Sequence, residues 1–388
     1  MPRQLQRVPL NLDPGDFALL HPLPDFPPGN IALIDGAHGP VITTTGPVYD
    51  DTDELVDDID DNSSESLDSI EDHEFPSYFS QRGSPPRLFH SHGTYTLPVD
   101  GDEMKRQEAQ HILLRMILGS NYDAPIHELL NDNSYERKVV DLCTGAGHWV
   151  LEMAKEFPRV EFRGLDLVPI QTRYPPRNVR FEIADVTERL RFADASVDVV
   201  HARMASIRVK VVPRFLQEVA RVLRPGGLFL SAEWGVQPTP EHPFRAGDDA
   251  HIPKTVSFYK AASCVGILSP HPRPCSCTLL IRRYRCRDIV PSLAPQILRL
   301  IRQTASFEEP ASKQWAIPIS TPNTPDTPPS VAFVSRVMGR ITQGYADALV
   351  AGGSFLQEDA DAFKDELDQG IGIYLTYQTV FARKKSSG

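Results

Sequence analysis

Residues 138–158, KVVDLCTGAGHWVLEMAKEFP, put small and chemically active side chains where a strand runs into a helix. Val139, Val140 and Leu142 form a short apolar run that leads into Cys143-Thr144-Gly145-Ala146-Gly147, and residues this small let the backbone turn sharply and approach a ligand. Val150, Met153, Ala154 and Phe157 then keep helical spacing until Pro158 stops the helix. A strand aimed at a helix N-terminus gathers free N–H groups and the positive end of the helix dipole at one spot, which suits a nucleotide-like ligand.

Two carboxylates extend the pattern. Asp166 follows Gly145 by 21 residues and closes a second predicted strand, where it can accept hydrogen bonds from both hydroxyls of a ribose. Asp185 closes a third strand and is placed to meet an adenine amino group. A strand-end turn is the alternative role for either residue alone. A dinucleotide fingerprint asks for a third small residue where Val150 stands, and the Gly-Lys-Ser/Thr of a phosphate-cradling loop is missing.

The elements that must position these groups alternate. A helix with Asp102 as its N-cap carries Ala109, Ile112, Leu113, Met116 and Ile117 on one face and ends at Gly119; a short helix over 125–130 precedes the central strand. Strands over 160–165, 178–183 and 197–201, a helix over 212–223, an Arg224-Pro225-Gly226-Gly227 turn and a strand over 228–234 argue for a parallel sheet with crossover helices. Helices follow over 258–262 and 291–305. The strands over 313–319 and 373–381 can pair antiparallel at the sheet edge, and the helices between them form a lid. Ser354 and Gln357 have capping-box spacing for the second of those helices.

Residues 1–94 read as a disordered, Pro-rich and acidic tail; 50–74 hold thirteen carboxylates and no Lys or Arg. Without them the net charge moves from −11 to about +2, so the chain's acidity says nothing about the site. Such a tail is a solvated extension or a contact for a regulatory protein partner. No apolar run is long enough for a membrane span, the N-terminus lacks a secretory apolar core, and five cysteines in no framework spacing favour an intracellular protein, cytoplasmic or nuclear. Cys264, Cys275, Cys277 and Cys286 with His271 fit no usual zinc spacing, so no metal is expected. The arginines of this aperiodic stretch lack interleaved aromatics, which argues against nucleic acid. Its abrupt composition over 264–287 fits an insertion or a gene-model artefact.

DLCTGAGHW, GLDLVPIQ, IADV, DVVHAR and VLRPGGLFLSAEW resemble the successive motifs of class I S-adenosylmethionine-dependent methyltransferases, and residues 156–186 are similar to the LaeA-like fungal methyltransferases. The likeness runs over about 95–384. It implies an α/β fold with a doubly wound, Rossmann-like, seven-stranded sheet under a helical cap: one domain over 95–384, with an irregular insertion at 264–287, a loop and helical insertion at 320–370, and a tail at 385–388. S-adenosyl-L-methionine would be the cofactor. Asp141, Gly145 and Gly147 would hold its methionine end, Asp166 the ribose and Asp185 the adenine, with Leu167 and Val186 beside them. His201, Ala202 and Arg203 would border the methyl-transfer cavity. Cys143 stands where the superfamily most often has Gly; negative φ would accommodate it, although its side chain could crowd the cofactor. Candidate bases are His148, His201, Glu233 and Tyr259, and Arg203 is a candidate for binding an acidic acceptor; each also has an ordinary structural role open to it. The expected activity is methyl transfer to a small-molecule or protein acceptor in fungal secondary metabolism. The alternatives are a cofactor-binding regulator with little turnover and an NAD-dependent oxidoreductase, the latter disfavoured by Val150.

Overall fold

The computed structural model describes residues 6–7, 65–66, 70, 74–83, 85–91, 95–132, 135–205, 212–235, 238–240, 252–264, 294, 296–321 and 324–386. Helix α1 (Gly101–Leu118) and the short α2 (Ile126–Leu130) precede the central strand β1 (Lys138–Leu142). Then come α3 (His148–Glu156), β2 (Glu161–Asp166), β3 (Val179–Ile183), β4 (Val197–Arg203), α4 (Val212–Val222) and β5 (Leu223–Trp234). The second half holds α5 (Pro253–Cys264), α6 (Ile297–Gln303), β6 (Ala311–Ser320), α7 (Pro329–Ala351), α8 (Gln357–Asp368) and β7 (Ile373–Arg383).

The seven strands lie in the order β3-β2-β1-β4-β5-β7-β6. β1 to β5 run parallel, and β7 inserts antiparallel between β5 and β6, as the sequence predicts for the last two strands. This is the doubly wound, seven-stranded sheet expected above. Two-residue ladders at 6–7 and 65–66 extend its edges, and one at 239–240 pairs with β7. The order reverses direction between β1 and β4, which opens a crevice at the carboxyl ends of those strands.

Strand alternation divides the core. Val140, Leu142, Val200 and Ala202 face α4 and α6, whereas Val139, Phe162 and Val199 face α3. Helices α1, α5, α7 and α8 bury a third cluster over β6 and β7. Between Val197 and Val199 the β4–β5 ladder skips from Leu223 to Leu228, so the Arg-Pro-Gly-Gly turn is looped out of register, with Gly226 at φ 80°.

Three expectations change. The N-cap of α1 is Asp100, not Asp102: Asp100 is extended, accepts the Glu103 N–H at 3.2 Å and is held there by the Arg87 guanidinium. The capping box at Ser354 does not form, because Ser354 donates its N–H back to the Leu349 carbonyl and so belongs to the end of α7. Ordered structure also begins before residue 95. A hairpin of Phe79–Arg82 and Arg87–His90 buries Phe89 completely, and Ile70 is inserted into the α3 cluster. The rest of the expected tail, and the cysteine-bearing stretch over 265–287, lie outside the described residues. No described helix is long and apolar enough to cross a membrane, and no metal-ligating cluster occurs among the described residues.

At the amino ends of the strands, Asp198 is buried and accepts hydrogen bonds from Tyr135 Oη (2.6 Å), Arg137 Nη1 (2.9 Å), the Lys138 N–H (2.9 Å) and Arg224 Nη1 (3.2 Å). Removing this carboxylate leaves the buried Arg137 guanidinium with Asp132, which is half exposed, as its one described carboxylate partner and deprives Tyr135, Lys138 and Arg224 of an acceptor. Asp198→Ala is expected to lower stability by about 3–5 kcal/mol, read from urea unfolding midpoints.

Candidate functional site

The turn between β1 and α3 is shaped by three residues with positive φ: Cys143 (61°), Gly145 (58°) and Gly147 (82°). The glycines are required by side chains of the protein itself. A Cβ on Gly147 would lie 2.5 Å from the Phe181 ring, and one on Gly145 would lie 2.6 Å from Gln107 Oε1. Cys143 has no such freedom. Its left-handed backbone contradicts the negative φ under which a cysteine is accommodated, and its side chain lines the crevice.

Asp141 is buried at the bottom of this crevice. Its Oδ1 accepts from His201 Nδ1 at 2.7 Å and its Oδ2 from Thr144 Oγ1 at 2.7 Å. Asp141 and His201 are register neighbours on β1 and β4, and His201 stacks on Trp149 at 3.8 Å. Burial lowers the His201 pKa, so the ring is a neutral N–H donor. His201 does not line the crevice. The imidazole is enclosed behind Asp141 and orients it, a different position from the base or cofactor contact expected of it.

Asp166 faces the crevice with a different set of partners. It accepts the Gly145 N–H at 2.8 Å and the Val168 N–H at 3.2 Å, and burial raises its pKa to about 6. Leu167 lines the same wall. At the end of β3 the lining residues are Ala184 and Val186; the Asp185 carboxylate turns back to accept from the Thr187 N–H (2.9 Å) and Oγ1 (2.6 Å), so Asp185 and Gly147 stand outside the lining. Of the base candidates, His148 lines the crevice, as does Arg203; Glu233 and Tyr259 do not. Burial lowers the His148 pKa, and its Nε2 has no hydrogen-bond partner.

The opposite wall is α1, which sequence reasoning treated only as an apolar face. Arg106 forms a buried two-pronged ion pair with Glu103 (2.7 and 2.8 Å), reaches Gln110 Oε1 at 2.8 Å and lies over the Tyr345 ring. Gln107 Oε1 accepts the Ala146 N–H at 3.2 Å, and His111 Nδ1 accepts from Arg203 Nη2 at 3.1 Å. Burial holds the His111 pKa at about 4. The available signal was a second periodicity: Glu103, Arg106, Gln107, Gln110 and His111 repeat at helical spacing beside the apolar stripe.

Residues 139–227 match the model of a methyltransferase domain. The secondary metabolism regulator laeA of Coprinopsis cinerea is 40% identical over 136 residues, which is 34% of this chain and 34% of that protein. Methyltransferase str2 of Strobilurus tenacellus is 29% identical over 136 residues, 35% of this chain and 47% of that one. The matches thus span between a third and a half of these relatives' length. A solved structure of phosphoethanolamine N-methyltransferase 2 from Haemonchus contortus has a TM-score of 0.38 at 16% identity, covering 75% of this chain and 60% of that one. Residues 139–227, which run from β1 to the start of β5, are thus similar to a methyltransferase domain, and the relatives of this segment include a laeA regulator.

A left-handed backbone at a non-glycine residue costs on the order of 1 kcal/mol. Cys143→Gly is therefore expected to raise the urea midpoint by an amount equivalent to about 1 kcal/mol without changing the slope of the transition.

Proposed function

We propose that this chain transfers a methyl group from S-adenosyl-L-methionine to an acceptor bound in the crevice between α1 and the carboxyl ends of β1, β2 and β4. The observation that carries the reading is Asp166: a half-buried carboxylate whose described partners are backbone N–H groups, with no cation within ion-pair distance among the described residues. Two ribose hydroxyls are the donors such a group lacks. Asp141, fixed by His201 and Thr144, offers its charge toward the amino and sulfonium end of the cofactor, while Gly145, Cys143 and Leu167 form the surface along it. Ala184 and Val186 make an apolar slot for an adenine, with Asp185 and Gly147 acting through the turns they hold.

When bound, the cofactor supplies a methyl group already attached to a good leaving group, so the protein's task is alignment and exclusion of water. Helix α1 covers the crevice and supports both. His148, neutral and with an unpartnered Nε2, is the group suited to take a proton where the acceptor carries one. An NAD-dependent reaction is disfavoured by Val150, which is wholly buried in α3 where a dinucleotide turn needs a small residue.

A second reading has support in the name of the laeA relative: a cofactor-binding regulator of secondary metabolism with little turnover, contacting protein partners through its acidic run. Transfer of a labelled methyl group in lysate separates the two. Wild-type protein should label an acceptor and Asp166→Ala should not; equal labelling by both would rule out catalysis at this site.

Binding should also report the Asp166 proton. Hydroxyl donors favour the carboxylate, whose pKa in the free protein is raised to about 6. Affinity for S-adenosyl-L-methionine is expected to be flat above pH 6 and to fall by up to tenfold per pH unit below it, measured by calorimetry from pH 5 to 8. In the free protein the same burial removes stability as pH rises from the ordinary carboxylate range to about 6, and bound hydroxyls offset that loss. Asp166→Asn should weaken binding by about 1.5–3 kcal/mol and abolish the pH dependence. NAD binding with no response to S-adenosyl-L-methionine would overturn the assignment.

A further inference from the structure

We infer that the methyl acceptor is a small molecule that presents an anionic oxygen, a carboxylate or an acidic hydroxyl, to Arg203. The inference rests on the methyltransferase reading and names the substrate class for the same crevice. The described carboxylates lining it have roles of their own: Glu103 takes the Arg106 fork, Asp141 takes His201 and Thr144, and Asp166 takes two backbone N–H groups and, on that reading, the ribose. Arg203 is matched differently. It lines the crevice half-buried at the end of β4, and its hydrogen bond goes to Nδ1 of His111; among the described residues no carboxylate lies within ion-pair distance of it.

The side chain that Arg203 meets directly is an imidazole and not a carboxylate. His111 must present a lone pair at Nδ1 to accept from the guanidinium, so its proton sits on Nε2, which lies 3.1 Å from Glu152 Oε2. Glu152 is in turn shared with Arg115 at 3.4 Å. His148 stacks on His111 at 6.0 Å; burial first, and the positive charge of Arg203 after it, depress both imidazoles. A partly desolvated guanidinium bounded by neutral rings gains most from an anion that fits its planar donors, and a bound sulfonium adds a second positive charge nearby. With α1 forming one wall of the crevice, that anion is assigned to a small molecule, and fractionation of a metabolite extract tests the assignment.

The transfer then balances without a base. An oxygen lone pair forms the O–CH3 bond, the C–S bond breaks with its electron pair going to sulfur, and the oxygen's negative charge and the sulfonium's positive charge disappear together. Neutral products are left beside Arg203, which no longer holds them as ions.

The test uses the full-length protein. A host metabolite extract is passed over an anion exchanger at pH 7, and the retained and unretained fractions are each incubated with the protein and methyl-labelled S-adenosyl-L-methionine. Label is expected from the retained fraction alone, in a product that elutes earlier than its parent acid. Release of labelled methanol in mild alkali identifies a carboxylate acceptor; alkali-stable label identifies an acidic hydroxyl. Arg203→Gln should cut labelling at least tenfold while binding of S-adenosyl-L-methionine stays within twofold, and Arg203→Lys, which keeps the charge, should retain more label than Gln. Label from the unretained fraction alone, equal labelling by Arg203→Gln, or a Lys variant no better than Gln overturns the anionic acceptor and leaves the methyltransferase reading standing. No label in either fraction from protein that binds the cofactor overturns both.

Discussion

The upper end of the sheet depends on one aromatic ring. Phe181, on β3, fills the space that side chains at Gly147 and Gly164 would occupy: a Cβ at either position would lie within 2.5–2.7 Å of its ring carbons. The ring therefore locks the β1–α3 turn, strand β2 and strand β3 at a single separation. Thr144 donates its N–H to the Leu165 carbonyl across the same gap, so the turn is tied to β2 by a hydrogen bond and to β3 by packing. With interiors packed near crystal density, a ring in that position leaves the turn little latitude. Asp141 and Asp166 inherit their positions from this arrangement, since one leaves β1 just before the turn and the other ends β2 beside it.

Buried charge is handled in opposite ways at the two ends of the strands. At the amino ends Asp198 collects several donors, two of them arginines, and the cluster is closed. At the carboxyl ends the acids are held by a neutral histidine, a threonine and backbone N–H groups, and Asp166 carries the cost of burial as a raised pKa. A fully compensated charge stabilises the fold and has nothing left for a ligand. A partly compensated one is a binding site.

The sheet was legible because its signals are local. Alternation of β-branched runs with helical stripes gives seven strands, and strand-end carboxylates after Gly145 give the crevice its face. What escaped needed knowledge of which side chains meet. His201 reads as a strand-end candidate beside Arg203, yet a parallel ladder puts it against Asp141 and under Trp149. Gly147 reads as a contact for a ligand, but the close approach belongs to Phe181, 34 positions along the chain. The polar stripe on α1 was visible in sequence but could not be distinguished from a solvated face, because only the fold turns Glu103 and Arg106 inward. Cys143 marks the opposite case: the sequence flagged the position, and the backbone, not the side chain, carries the strain.

Gln107 gives the crevice a particular kinetic character. Its amide oxygen holds the Ala146 N–H and stands over Gly145, while the Gln171 amide holds the Gly145 carbonyl from the other side. The Ala146 N–H and the Gly145 carbonyl at the mouth of α3 are thus already in use before any ligand arrives. Association at this turn is a substitution: an incoming carboxylate or hydroxyl displaces a glutamine amide of nearly equal hydrogen-bonding power, and departure is helped by the amide's return. Such an exchange trades one hydrogen bond for another, so this contact would contribute orientation more than net affinity.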